Sequence, residues 1–87
     1  MESLINREVL LKRAGAYIAE TRKRKNITQE ELLVKLDTKN SFYMDRNTIS
    51  LIERGRVATN WLFMSAIIAA LDIPADEFIS AVLDRHE

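Results

Sequence analysis

Eighty-seven residues, 47% hydrophobic and 30% charged, suffice for one small globular domain. Without cysteine there are no disulfides, no thiol chemistry and no thiolate zinc site; with two Gly, one Pro and no strict apolar alternation, the composition points to an all-helical fold. Zero net charge argues against nucleic-acid binding, but residues 1–60 hold 12 Lys and Arg against 8 Asp and Glu, and residues 61–87 hold one against five, so one end is basic and the other acidic.

The N-terminus carries Glu2, Arg7 and Glu8 where a leader would need an apolar core, so a cytoplasmic chain without a signal peptide is expected. Ser3 is expected to cap a first helix that runs to about Lys25. Leu4, Val9, Leu11, Ala14, Ile18 and Thr21 recur along it at near-helical spacing. Asn26 tolerates the left-handed conformation that ends a helix. Thr28 then caps a second helix, and Glu31, three residues on, completes a capping box. Leu32, Leu33 and Leu36 give that helix its apolar side. Asp37 to Asp45 breaks the pattern and reads as a loop. Either Phe42, Tyr43 and Met44 pin this loop to the core, the commoner use of aromatic area, or Lys39, Asn40 and Ser41 carry it to a phosphate backbone.

A third helix, Arg46 to Arg54, is capped by Asp45 and stopped by Gly55. On a helical wheel Thr48, Ile49 and Ile52 share one side, and Arg46, Asn47, Ser50, Leu51 and Arg54 share the other. A helix with Arg, Asn and Ser turned outward near its start carries the chemistry that reads base edges in a major groove. Asn60 caps a fourth helix that reaches about Leu71. The apolar run Trp61 to Leu71 is too short for a membrane span and suits a buried helix. Asp72-Ile73-Pro74 is a break, with Pro74 near the first position of a fifth helix. Asp76 and Glu77 suit the dipole of its first turn, and Phe78, Ile79, Val82 and Leu83 form its stripe. His86, the one histidine, reads as a solvated tail residue.

Four segments in order resemble the helix-turn-helix family of phage repressors and Xre-type regulators. They are Gly15 with Ile18 to Arg22, then Thr28-Gln29-Glu30-Glu31-Leu32, then Thr48 to Gly55, then Ala70-Leu71-Asp72-Ile73. The likeness covers about residues 14–78 and leaves 1–13 as an N-terminal helical extension. It implies a five-helix, lambda-repressor-like DNA-binding domain. Two features depart from the family. The connection between the second and third helices is longer by about six residues than the usual tight turn. Leu33 also stands where a small residue is usual.

The resemblance implies that the third helix lies in the major groove with Arg46, Asn47, Ser50 and Leu51 reading bases. Arg46 suits guanine and Asn47 suits adenine; Leu51 meets a thymine methyl or else rims the core. Phosphate contacts are expected from Thr28 and Gln29 at the start of the second helix and from Arg54, Arg56 and Lys39, with Thr59 and Asn60 as further donors. Arg22 matches the family arginine that pairs with a third-helix glutamate, here Glu53. Of the run Arg22-Lys23-Arg24-Lys25, only part can face DNA.

The fourth helix is apolar nearly all round, with Met64, Ile67, Ile68 and Leu71 on one side and Leu62, Ala66 and Ala69 on the other. Every side of such a helix must be covered. Either a second copy covers it, with Leu62, Ala66, Ala69, Phe78, Ile79 and Val82 at a homodimer interface, or the first helix does so within one chain. A two-fold dimer would read a pseudo-palindromic operator, as a repressor or a restriction–modification controller does. A rival reading is an antitoxin-type module that neutralises a partner protein and regulates its own promoter, with Met1 to Lys12 as the docking element or merely as a cover for the core. No metal-ligand cluster or Gly-rich phosphate loop is present, so neither a cofactor nor an enzymatic activity is expected.

Overall fold

The computed structural model describes residues 6–40, 43–57 and 60–83, with the side chains of Lys39 and Asn40 outside that set. Among the described residues the fold is all-helical: α1 (Arg7–Arg24), α2 (Gln29–Asn40), α3 (Arg46–Glu53), α4 (Trp61–Ala70) and α5 (Ala75–Leu83). None of these helices is long and apolar enough to cross a membrane.

Local chemistry explains most of the boundaries. Asn6 caps α1 by accepting the Val9 N–H at 3.2 Å, so the helix starts at Arg7 rather than behind Ser3. Ser3 and Leu4 themselves lie outside the described residues. Asn26 ends α1 in the left-handed region at φ 59°. The capping box forms as expected: Thr28 donates its N–H to the Glu31 carboxylate at 2.8 Å, and the Glu31 N–H returns to the Thr28 hydroxyl at 3.0 Å. Asp45 and Asn60 cap α3 and α4 by accepting the N–H groups of Thr48 and Phe63.

The expected loop over Asp37 to Asp45 is corrected. Residues 37–40 continue α2, with the Thr38 hydroxyl donating to the Val34 carbonyl, and only residues 41–45 connect α2 to α3. The extra chain length is thus largely a longer helix. Met44 anchors the connection in the core. Tyr43 does the opposite and stands 81% exposed, so its expected anchoring role is withdrawn. Ser41 and Phe42 lie outside the described residues.

The core joins all five helices. Ala14 and Ile18 of α1, Leu32 and Leu36 of α2, Ile49 and Ile52 of α3, Ala66, Ile67 and Ala70 of α4, and Phe78 of α5 are buried together. Helix α1 packs chiefly on α3 and α5, while α2 packs on α4 and α3. Tyr17 meets Phe78 edge to face at 5.9 Å, and the Arg13 guanidinium donates to the Val82 carbonyl at 3.0 Å. The described part of the N-terminal extension therefore leads straight into core-covering contacts. The neighbour of α4 is chiefly α2, not the long first helix.

Both glycines sit where a side chain does not fit. A Cβ on Gly15 would fall on the Ile52 carbonyl oxygen and within 2.7 Å of that of Glu53, so Gly15 is what lets α1 and α3 touch backbone to backbone. Gly55 closes α3 at φ 69°, against the backbone of Lys12.

Candidate nucleic-acid interface

The exposed side of α3 is built by its buried side. Ile49 and Ile52 are sealed in the core, which fixes the rotation of the helix about its axis. Arg46 and Asn47 then emerge exposed at its start, Ser50 is half-buried, and Arg54 is exposed beyond its last turn. Leu51 is half-buried, between the two positions considered for it.

A buried ion pair clamps this arrangement. Arg22 donates from Nε to Glu53 Oε2 at 2.7 Å and from Nη2 to Glu53 Oε1 at 3.0 Å. The two side chains are only 9% and 6% exposed. Arg22 Nη1 also donates to the Ile27 carbonyl at 2.8 Å, and Gln29 Nε2 donates to Glu53 Oε1 at 2.9 Å. The pair thus ties the end of α1, the start of α2 and the end of α3 into one unit. Both charges keep most of their hydrogen bonds after leaving water, the condition under which a buried pair is sustainable.

These contacts revise the expected phosphate set. Thr28 is engaged with Glu31 in the cap of its own helix, and the Gln29 amide is engaged with Glu53 across the α2–α3 contact, so both have partners within the chain. Glu30 and Glu31 also place two carboxylates in the first turn of α2, which opposes an anion at that helix start. Arg54 and Arg56 remain exposed. With Glu8, Leu11, Lys12 and Gly55 they line a shallow cleft between α1 and the end of α3. Lys12 had no signal in the local sequence, because only the α1–α3 contact brings it there. Asn60 is a helix cap. Thr59, and the side chain of Lys39, lie outside what is described.

A second cleft lies between the starts of α2 and α3, lined by Arg22, Thr28, Gln29, Glu30 and Arg46. Across it, Arg46 Nη1 donates to Glu30 Oε2 at 3.3 Å, with the two side chains 65% and 71% exposed. This pair was not foreseen: its partners lie sixteen residues apart on different helices. Asp45, the cap beside Arg46, has its carboxyl pKa lowered by hydrogen bonds from the Thr48 hydroxyl and N–H. The corner therefore carries a guanidinium fork, a carboxamide and two flanking carboxylates.

The expected dimer residues divide. Ala66 and Phe78 are buried within the chain's own core and are withdrawn from the interface set. Leu62, Ala69 and Ile79 are exposed, and Val82 packs partly against the core. Leu83 of the same α5 stripe is exposed, and Trp61, 74% exposed, adds apolar surface that had not been assigned to the interface. Among the described residues, no group of three His, Cys, Asp or Glu side chains is arranged to hold a metal ion. No protein-family model matches this chain, and no curated protein matches it.

Proposed function

We propose that the chain is a sequence-specific double-stranded DNA-binding regulator, a dimeric repressor of the helix-turn-helix, lambda-repressor-like type. One observation carries this reading: a short helix has its isoleucines sealed inside and presents Arg46 and Asn47 outward at its start, on a frame clamped by Arg22 and Glu53. Arginine and asparagine are the side chains that pair bidentately with guanine and adenine in the major groove. Ser50 and Leu51 follow on the same side. Arg54, Arg56 and Lys12 supply the phosphate contacts that set register.

The second copy is supported by exposed Trp61, Leu62, Ile79 and Leu83 on α4 and α5. Apolar side chains of that size, on a domain with a small core, favour association. Two reading helices would then lie about 34 Å apart, one turn of duplex, on a pseudo-palindromic site. The same apolar surface also serves the antitoxin-type reading, in which a different protein takes the second copy's place.

Selection of fragments from the source genome, followed by footprinting, tests the proposal. Enrichment of one sequence with two protected half-sites, weakening steeply with salt, is the expected result. Uniform recovery of all fragments, with no footprint, would remove the regulatory reading.

A further inference from the structure

We propose that Glu30 is a specificity-determining residue: it withholds Arg46 from any duplex that does not offer the acceptor pair of a guanine. The inference rests on the reading that α3 enters the major groove, and it goes further by assigning discrimination to a carboxylate on α2.

The geometry separates this contact from a structural one. Glu30 holds Arg46 through a single contact at 3.3 Å, and both side chains are largely exposed. The other Arg–Glu pair is bidentate, buried and tied to Ile27 and Gln29. An exposed single-contact pair adds little to folding, so it is easily exchanged for another partner. Arg46 has the fork of donors that matches guanine O6 and N7.

Consider what each duplex returns. Any duplex brings phosphates toward Glu30, and that repulsion is common to all sequences. A guanine at the right position replaces the carboxylate with two aligned acceptors. A wrong base leaves Arg46 to choose between Glu30 and a phosphate. Glu30 therefore weakens binding to incorrect DNA more than to correct DNA, by acting on Arg46 as a positioning residue. A protein of zero net charge gains little non-specific attraction to begin with. A carboxylate beside the reader deepens that selectivity.

The test uses the full chain and two duplexes: one selected by the wild-type protein from a randomised pool, and a scrambled duplex of the same composition. Glu30→Gln keeps the shape and removes the charge. It is expected to tighten binding to the scrambled duplex about two- to fivefold and to change binding to the selected duplex by less, so that the specificity ratio falls. In an Arg46→Ala background, Glu30→Gln is expected to change both duplexes by the same factor, because the residue it acts through is gone. The melting temperature is expected to match wild type. Equal tightening on both duplexes with Arg46 present would reduce Glu30 to a simple repulsive charge and overturn the proposal. So would no change on either duplex, or a fall in melting temperature as large as that of Glu53→Ala. A pool from which no sequence is enriched would instead defeat the DNA reading itself.

Discussion

Arg22–Glu53 and Arg46–Glu30 join the same two residue types across two helices, yet they differ in burial, geometry and company. The first is bidentate, nearly sealed from water, and flanked by the Ile27 carbonyl and the Gln29 amide. The second is a single contact in solvent. Burial decides their roles. Breaking a buried pair strands a charge and costs about 3–5 kcal/mol, whereas an exposed pair contributes about 0–1 kcal/mol. The buried pair holds α3 on its frame. The exposed pair leaves its arginine available for exchange.

The largest expected effect comes from the buried side. Glu53→Ala should destabilise the domain by about 3–5 kcal/mol, read by chemical denaturation. Glu30→Ala should cost no more than about 1 kcal/mol, the share of an exposed pair and of a carboxylate in the first turn of α2. Equal effects from the two substitutions would erase the contrast between the pairs.

Next comes the packing that lets the buried pair form. In an open helix Gly15→Ala would stabilise by about 1 kcal/mol. Here the new methyl meets carbonyl oxygens of α3, which as backbone cannot swing aside. Gly15→Ala should therefore destabilise by about 1–3 kcal/mol net, as overpacking does. A stabilised variant would show that α1 and α3 do not approach so closely.

The smallest effect sits beside the exposed pair. The Asp45 carboxyl titrates below its ordinary value because the Thr48 hydroxyl and N–H hydrogen-bond to its charged form. A depressed folded pKa gives stability that is present above the unfolded value, roughly pH 3.9, and is lost as pH falls through the folded one. Asp45→Ala should lower the melting temperature at neutral pH by less than Gly15→Ala does. The difference from wild type should shrink as a pH titration proceeds into the acid range. A difference that persists unchanged below pH 3 would deny the cap its charge-dependent part.

Much of the fold was legible in the sequence because its signals are local. The Thr28–Glu31 box, the Asp45 and Asn60 caps and the Asn26 stop each act over three residues or fewer, and they mark the end of α1 and the starts of α2, α3 and α4. The Arg22–Glu53 contact was legible only through the family resemblance. Other features were hidden for physical reasons. Residues 37–40 are a turn of α2 made of polar residues alone, and such a turn carries no apolar period to separate it from a loop. Tyr43 and Met44 are neighbours in irregular chain, where no period tells which of two apolar side chains enters the core; Met44 does and Tyr43 does not. Ala66 and Phe78 looked available because an apolar stripe does not say which neighbour will cover it. Lys12 beside Arg54 and Arg56, and Glu30 beside Arg46, depend on how helices cross, which no local pattern encodes.

The most direct test is a comparison of wild-type and Arg46→Ala binding to the selected duplex and to a scrambled one at fixed salt. The account predicts a loss of about 1–3 kcal/mol on the selected duplex, relaxed preference at one base pair in each half-site, and a much smaller loss on the scrambled one. Equal losses on both duplexes would contradict it, because Arg46 would then be meeting phosphates and α3 would not be reading bases.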